Sequence, residues 1–236
     1  MATIIIHVTA GVITGIVGTT ASARGSMPMP RHVLEHPRPN SVFIFLIQSH
    51  AKPGSGTTTL KIEFDRHCRP QQVTVKNLFL PTPAMMSKEL KTLLRNSNAS
   101  TKVGHIAQKY RDSGSYPWLR EAYDGGHFLG CRFLGPSFPV CMTPQHRRQN
   151  RVGDYKKFEN DLAQLIVLSA GQRGRISDVG FTLWSHYPDS QCPVARSFTI
   201  TVHSENLAAQ LLLGDDDLAK ATDTTTDTAH ACVLPT

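Results

Sequence analysis

Between Tyr123 and Gly171 the periodicity of the chain changes twice, and this order restricts the fold more than any other feature. His127 to Leu134 (H-F-L-G-C-R-F-L) is apolar enough for a strand, and Gly135-Pro136 stops it. Val140 to Thr143 reads as the return strand, ended by Pro144. From Gly153 the spacing becomes helical. Tyr155, Phe158, Leu162, Leu165, Ile166 and Ser169 recur at three- and four-residue steps and make one apolar stripe. Lys156, Lys157, Asp161 and Gln164 lie off the stripe, and Gly171 stands where a terminating glycine belongs. The local order is strand, strand, helix, with Glu159 one turn inside the helix and beside the stripe.

The flanking chain supplies more strands. Val42 to Gln48 is a short apolar run, Leu60 to Phe64 alternates strictly, and Gln72 to Leu78 resumes the alternation. These last two predict a hairpin, as do Val179 to Trp184 and Phe198 to Val202 around a turn-rich stretch. Met85 to Asn96 has helical spacing, whereas residues 101–122 are polar and basic and read as irregular. Residues 1–41 form an N-terminal signal-like or delivery segment with a linker, 42–206 a single domain, and 207–236 an acidic tail expected to be disordered. Ala21-Ser22-Ala23 resembles a cleavage site, but no Lys or Arg precedes the apolar run, so secretion and delivery both stay open. No stretch predicts stable membrane insertion.

Formal charge is +7, with an isoelectric point of about 9.3. Residues 1–100 carry a net +7 and 101–160 a net +5, while 205–236 carry −5. A basic body with an acidic tail suits a polyanionic partner such as nucleic acid, although plain solubility charge gives the same totals. The five cysteines contain no C-x-x-C pair, which argues against a structural zinc site. Cys131 and Cys141 bracket the expected turn, so buried thiols and one disulfide are both open there.

Chemistry enters with His127 and Asn150. A histidine titrates near neutral pH and can serve as a general base. An Asn carbonyl is a hard oxygen ligand, and Mg²⁺ needs few of those because it keeps several waters. Each residue also has an ordinary reading: His127 as a turn residue, Asn150 as a helix N-cap, Glu159 as a solvated helix residue. Arg147, Arg148, Arg151, Lys156 and Lys157 could equally form a solvated face.

The ordered set decides between these readings. It runs Asp124-Gly125-Gly126-His127, an apolar stretch with Arg132-Phe133 and Gly135, Thr143-Pro144-Gln145, Asn150, then Tyr155-Lys156 and Glu159-Asn160. Taken together it resembles the DNA/RNA non-specific endonuclease family, and within it the bacterial toxin-type branch. The resemblance covers about residues 105–205. It implies an α+β fold: an antiparallel sheet with an embedded ββα-metal (His-Me finger) nuclease core. It implies metal-dependent cleavage of DNA and RNA, with Mg²⁺ or Mn²⁺ as cofactor. An interbacterial toxin would need an immunity protein as a further partner, a secreted scavenging nuclease would not, and both stay open.

By position, the resemblance makes His127 the general base and Asn150 the metal ligand, with Glu159 acting at the metal or its water. Arg132 joins the catalytic set, and Arg132, Arg147, Arg148, Arg151 and Lys156 are the nucleic-acid-binding candidates. Asp124, Gly126 and Gln145 support the site. Three positions depart from the family pattern: Gly125 stands where better-studied members have Arg, Cys141 where Asn is common, and Asn150 to Glu159 is one residue longer, around Val152. The alternative function on the same scaffold is a catalytically silent nucleic-acid-binding or structural protein.

Overall fold

A computed structural model describes residues 2–19, 27–48, 56–95, 97–119, 122–206 and 232–233. Its strands are β1 (Ala2–Thr9), β2 (Val12–Thr19), β3 (Met27–Pro28), β4 (Ser41–Gln48), β5 (Thr57–Phe64) and β6 (Pro70–Lys76). They continue as β7 (Tyr123–His127), β8 (Met142–His146), β9 (Gly180–His186), β10 (Ser197–His203) and β11 (Cys232–Val233). The helices are α1 (Lys88–Leu94), α2 (Ser97–Asp112), α3 (Arg147–Val152) and α4 (Asp154–Ala170).

Nine strands form one sheet in the order β11-β10-β9-β6-β5-β4-β1-β2-β3. Every pairing in it is antiparallel except β1 with β4. Alternation dictates one apolar face: β5 buries Thr58, Leu60, Ile62 and Phe64, and β6 buries Val73 and Val75. The opposite positions, such as Lys61 and Glu63, stay at the surface, where these two form an ion pair. α4 covers the apolar face with Tyr155, Phe158, Leu162 and Ile166. Phe158 meets Phe181 of β9 edge to face, with centroids 5.4 Å apart. Burial of each such side chain contributes about 1.5–3 kcal/mol.

The fold is thus α+β with a mostly antiparallel sheet. β7 and β8 make a separate two-stranded ladder, followed directly by α3 and α4. The expected strands sit elsewhere by several residues. Tyr123–His127 is the first strand, and the apolar stretch after it is a loop with a 3₁₀ turn at Cys131–Phe133. Phe128, Leu129, Phe133 and Leu134 are apolar because they plug the core, not because they pair. The return strand is Met142–His146 and includes Pro144. The helix over Met85–Asn96 is shorter, with Ser87 accepting from the Leu90 N–H as its cap. The expectation of irregular structure over 101–122 fails up to Asp112, because α2 occupies Ser97–Asp112, and holds over 113–119, which are turns and bends.

Residues expected as a signal-like or delivery segment include β1 and β2, both strands of the main sheet. The turn between them packs against Leu90 of α1. Ala21-Ser22-Ala23 and most of the acidic tail lie outside the described residues; Cys232–Val233 pairs with β10. Cys131 and Cys141 are free thiols, so no disulfide joins them. No described helix is long and apolar enough to cross a membrane.

Candidate active site

β7 ends at His127, and α4 holds that end in place. The Tyr155 hydroxyl lies 2.6 Å from the His127 carbonyl and 3.0 Å from that of Phe128. The strand can lie this deep because two of its five residues, Gly125 and Gly126, carry no side chain. A Cβ on Gly126 would fall 2.1 Å from Gln145 Oε1, so Gln145 of β8 packs directly over that glycine. Gln145 is fully buried, and neither end of its amide has a hydrogen-bond partner.

The imidazole is oriented by a relay. His127 Nε2 lies 2.7 Å from Ser137 Oγ. The Ser137 hydroxyl in turn donates to the backbone carbonyl of Leu94, at the end of α1. A carbonyl can only accept, so the single serine proton goes to Leu94. The contact to His127 therefore has Nε2–H as donor, which leaves Nδ1 as the ring's acceptor. Burial lowers the His127 pKa to about 4, because its surroundings disfavour the cation. At neutral pH the ring is uncharged and able to take a proton.

His127, Asn150 and Glu159 line one cavity of about 400 Å³, together with Arg132 and Lys156. Five of the residues singled out in the sequence are therefore brought together. Asn150 is half-buried inside α3 and is not a cap; the N-cap of α4 is Gly153. Glu159 is not a solvated helix residue: it is 9% exposed, and its Oε2 lies 2.8 Å from Lys156 Nζ. Gly130 makes room for it, since a Cβ there would fall 1.9 Å from Glu159 Oε1. Arg132 donates to Asn160 Oδ1 and, at 3.4 Å, to the Glu159 carbonyl.

Arg147, Arg148 and Arg151 do not line this cavity. Asp124 binds two of them, with Oδ1 3.2 Å from Arg147 Nε and Oδ2 2.9 Å from Arg151 Nη2. Asp124 thereby fastens α3 to β7. Arg148 is exposed on the same helix. Lys91, Arg95 and Arg173 also line the cavity, and Ser137 stands behind it. Nothing near these four in sequence marks them, because the fold delivers them from α1, from the turn after α4 and from the loop between β7 and β8.

The profile of the DNA/RNA non-specific endonuclease family matches residues 61–206. The chain belongs to that family. No curated protein matches it at a significant level. The family match supports a nuclease function, with nucleic acid as the substrate class. β1 to β4 lie before the matched residues and complete the same sheet.

Two departures from the family pattern have physical reasons here. A Cβ on Gly125 would fall 2.8 Å from the Ser100 carbonyl oxygen and 2.9 Å from Val103 Cβ. α2 packs on that position, so no arginine fits there. The extra residue between Asn150 and Glu159 is absorbed where α3 ends and α4 begins. Val152 is 74% exposed, and Gly153 is extended with ψ −159°. Both Asn150 and Glu159 still reach the cavity. The third departure, Cys141, is a buried thiol whose pKa is pushed well above its ordinary value by desolvation, so it is unreactive.

Proposed function

We propose that the chain is a metal-dependent endonuclease that hydrolyses phosphodiester bonds of DNA, and of RNA, without sequence preference. The observation that carries this reading is the convergence of His127, Asn150 and Glu159 on one cation-lined cavity. The donor set fits Mg²⁺ or Mn²⁺: Asn150 offers an amide oxygen and Glu159 a carboxylate, both hard ligands. Among the described residues no group of three or more His, Cys, Asp or Glu could hold a metal ion, so the ion would rest on one amide and one carboxylate. An open site suits an ion that keeps waters and takes phosphate oxygens. When bound, the ion supplies positive charge to the phosphate and to the leaving oxygen.

The chain's own residues do the rest. His127 Nδ1 takes the proton of the attacking water, a contribution of roughly 10²–10⁴-fold. Ser137 holds the opposite edge of the ring and fixes its tautomer. Lys156 restrains the Glu159 carboxylate, and Arg132 ties the loop after β7 to α4. This assignment of a ββα-metal core rests on the order β7, β8, α3, α4 and on the family match.

An unrestrained nuclease destroys its producer's nucleic acid. We therefore read the protein as secreted or delivered into a target cell, as an antibacterial effector of the toxin-type branch with an immunity protein in the producer. The decisive experiment is plasmid degradation with and without EDTA, for the wild type and for His127→Ala. Cutting that needs metal and vanishes in the folded variant is the expected result. No metal-dependent cutting points instead to a silent nucleic-acid binder.

A further inference from the structure

Gly125 poses a specific question. A nuclease of this kind needs a cation on the phosphate, and the family's usual arginine position is closed by α2. Five cations line the cavity: Lys91, Arg95, Arg132, Lys156 and Arg173. Two are already engaged, Lys156 by the Glu159 carboxylate and Arg132 by Asn160 and the Glu159 carbonyl. Of the others, Arg95 has the firmest link to the base. It directly follows Leu94, which is 1% exposed and anchors the end of α1 in the core. The Leu94 carbonyl receives the Ser137 hydroxyl, and Ser137 in turn holds His127. The backbone that carries Arg95 is thus joined to the imidazole through one serine.

We infer that Arg95 is the phosphate-binding arginine of this nuclease, with Lys91 one helical turn before it and Arg173, also in the cavity lining, guiding the flanking strand. This assignment rests on the nuclease reading above. α2 excludes a side chain at Gly125, while α1, the element just before α2, brings a guanidinium to the cavity that His127, Asn150 and Glu159 line. A planar guanidinium presents two parallel N–H donors to two phosphate oxygens at once, a fixed geometry that an ammonium lacks.

The test has two arms on the full chain. In the first, cleavage of a labelled duplex with Mg²⁺ is measured for the wild type, Arg95→Ala, Arg95→Lys and Arg111→Ala, a charge-matched control on α2 outside the cavity lining. Arg95→Ala is expected to lose about 10²–10³-fold in kcat/KM with an unchanged melting temperature. Arg95→Lys recovers part of the loss, and Arg111→Ala matches the wild type. Arg95→Ala within about threefold of an active wild type, or an equal loss in Arg111→Ala, overturns the assignment and leaves the nuclease reading standing.

In the second arm, the same duplex is titrated by anisotropy in EDTA, in the His127→Ala background, across a range of salt. Removing Arg95 should lower the log–log salt slope by about one unit. An unchanged slope overturns the assignment. If the wild type fails to cut, the nuclease reading falls and this arm alone decides whether Arg95 binds phosphate.

Discussion

Ser137 Oγ stands 2.7 Å from His127 Nε2 while giving its own proton to the Leu94 carbonyl. One hydroxyl therefore sets the tautomer of the base and ties α1 to the site. Ser137 is 6% exposed, so water cannot replace it easily. Ser137→Ala leaves the Nε2–H and the Leu94 carbonyl without this partner. We expect kcat to fall at least tenfold with KM little changed, and stability to drop by about 1–3 kcal/mol. Ser137→Thr keeps the hydroxyl and should recover most of the rate. Steady-state kinetics on the three proteins checks this; a loss confined to KM argues against a positioning role.

The depressed His127 pKa has a signed consequence for pH. The native group titrates near 4, below the ordinary value of 6.5 that the unfolded chain keeps. Between those values the unfolded state binds a proton that the native state refuses, so stability falls as pH drops through that window. Urea unfolding at pH 7 and pH 5 should show a loss in the wild type that His127→Gln lacks. The acidic limb of kcat/KM should likewise lie well below that of an ordinary histidine. Equal pH losses in both proteins would count against the buried neutral ring.

Gly130 faces the Glu159 carboxylate too closely for any side chain. Gly130→Ala must push Glu159 away or move the loop after β7. The metal concentration for half-maximal cleavage should rise about 10–100-fold, with far-ultraviolet circular dichroism preserved. An unchanged metal requirement separates Glu159 from the metal.

Asp124 clamps α3 through two arginines that are themselves 50% and 63% exposed. Such pairs contribute about 0.2–1 kcal/mol each, so Asp124→Asn should lower global stability only slightly. The local effect is larger, because α3 carries Asn150. Hydrogen exchange should quicken in the α3 amides and leave those of α4 unchanged. Uniform quickening would show that Asp124 serves the whole domain rather than this helix.

The sequence displays α4 plainly, because large apolar residues mark its buried face at helical intervals. It hides α2, whose buried face is Ala99, Val103 and Ala107. Those residues also stand at helical intervals, but they are too small to register as an apolar stripe. The same smallness has a purpose: at Gly104 a Cβ would fall 2.5 Å from the Tyr123 carbonyl oxygen, so α2 lies almost against the backbone of β7. β7 itself (Y-D-G-G-H) has poor strand propensity, and it becomes a strand only because β8 pairs with it under the helices. The loop beyond it looked like a strand because its apolar residues face the core.

The catalytic candidates fared differently, for a related reason. His127, Asn150, Glu159, Arg132 and Lys156 sit within one stretch of chain whose order could be read directly, and the structure gathers them in one cavity. Ser137, Lys91, Arg95 and Arg173 carry no local signal, since their proximity to His127 exists only once α1 and the loop between β7 and β8 have packed. The positions of β1 and β2 in the sheet were hidden as well. A run of small and β-branched residues near a chain start reads as a targeting segment when its pairing partner, β4, is more than thirty residues away.

The break at Gly153 bears on how such a site can change over time. Within one unbroken helix, the distance between two side chains is locked to a fixed rise per residue. Here Asn150 and Glu159 belong to separate helices, joined at one extended glycine beside an outward-facing valine. Their separation is set by a few backbone torsions at that joint. A residue can be gained or lost there without unwinding either helix, so the joint lets a lineage retune the gap between two site oxygens in small steps.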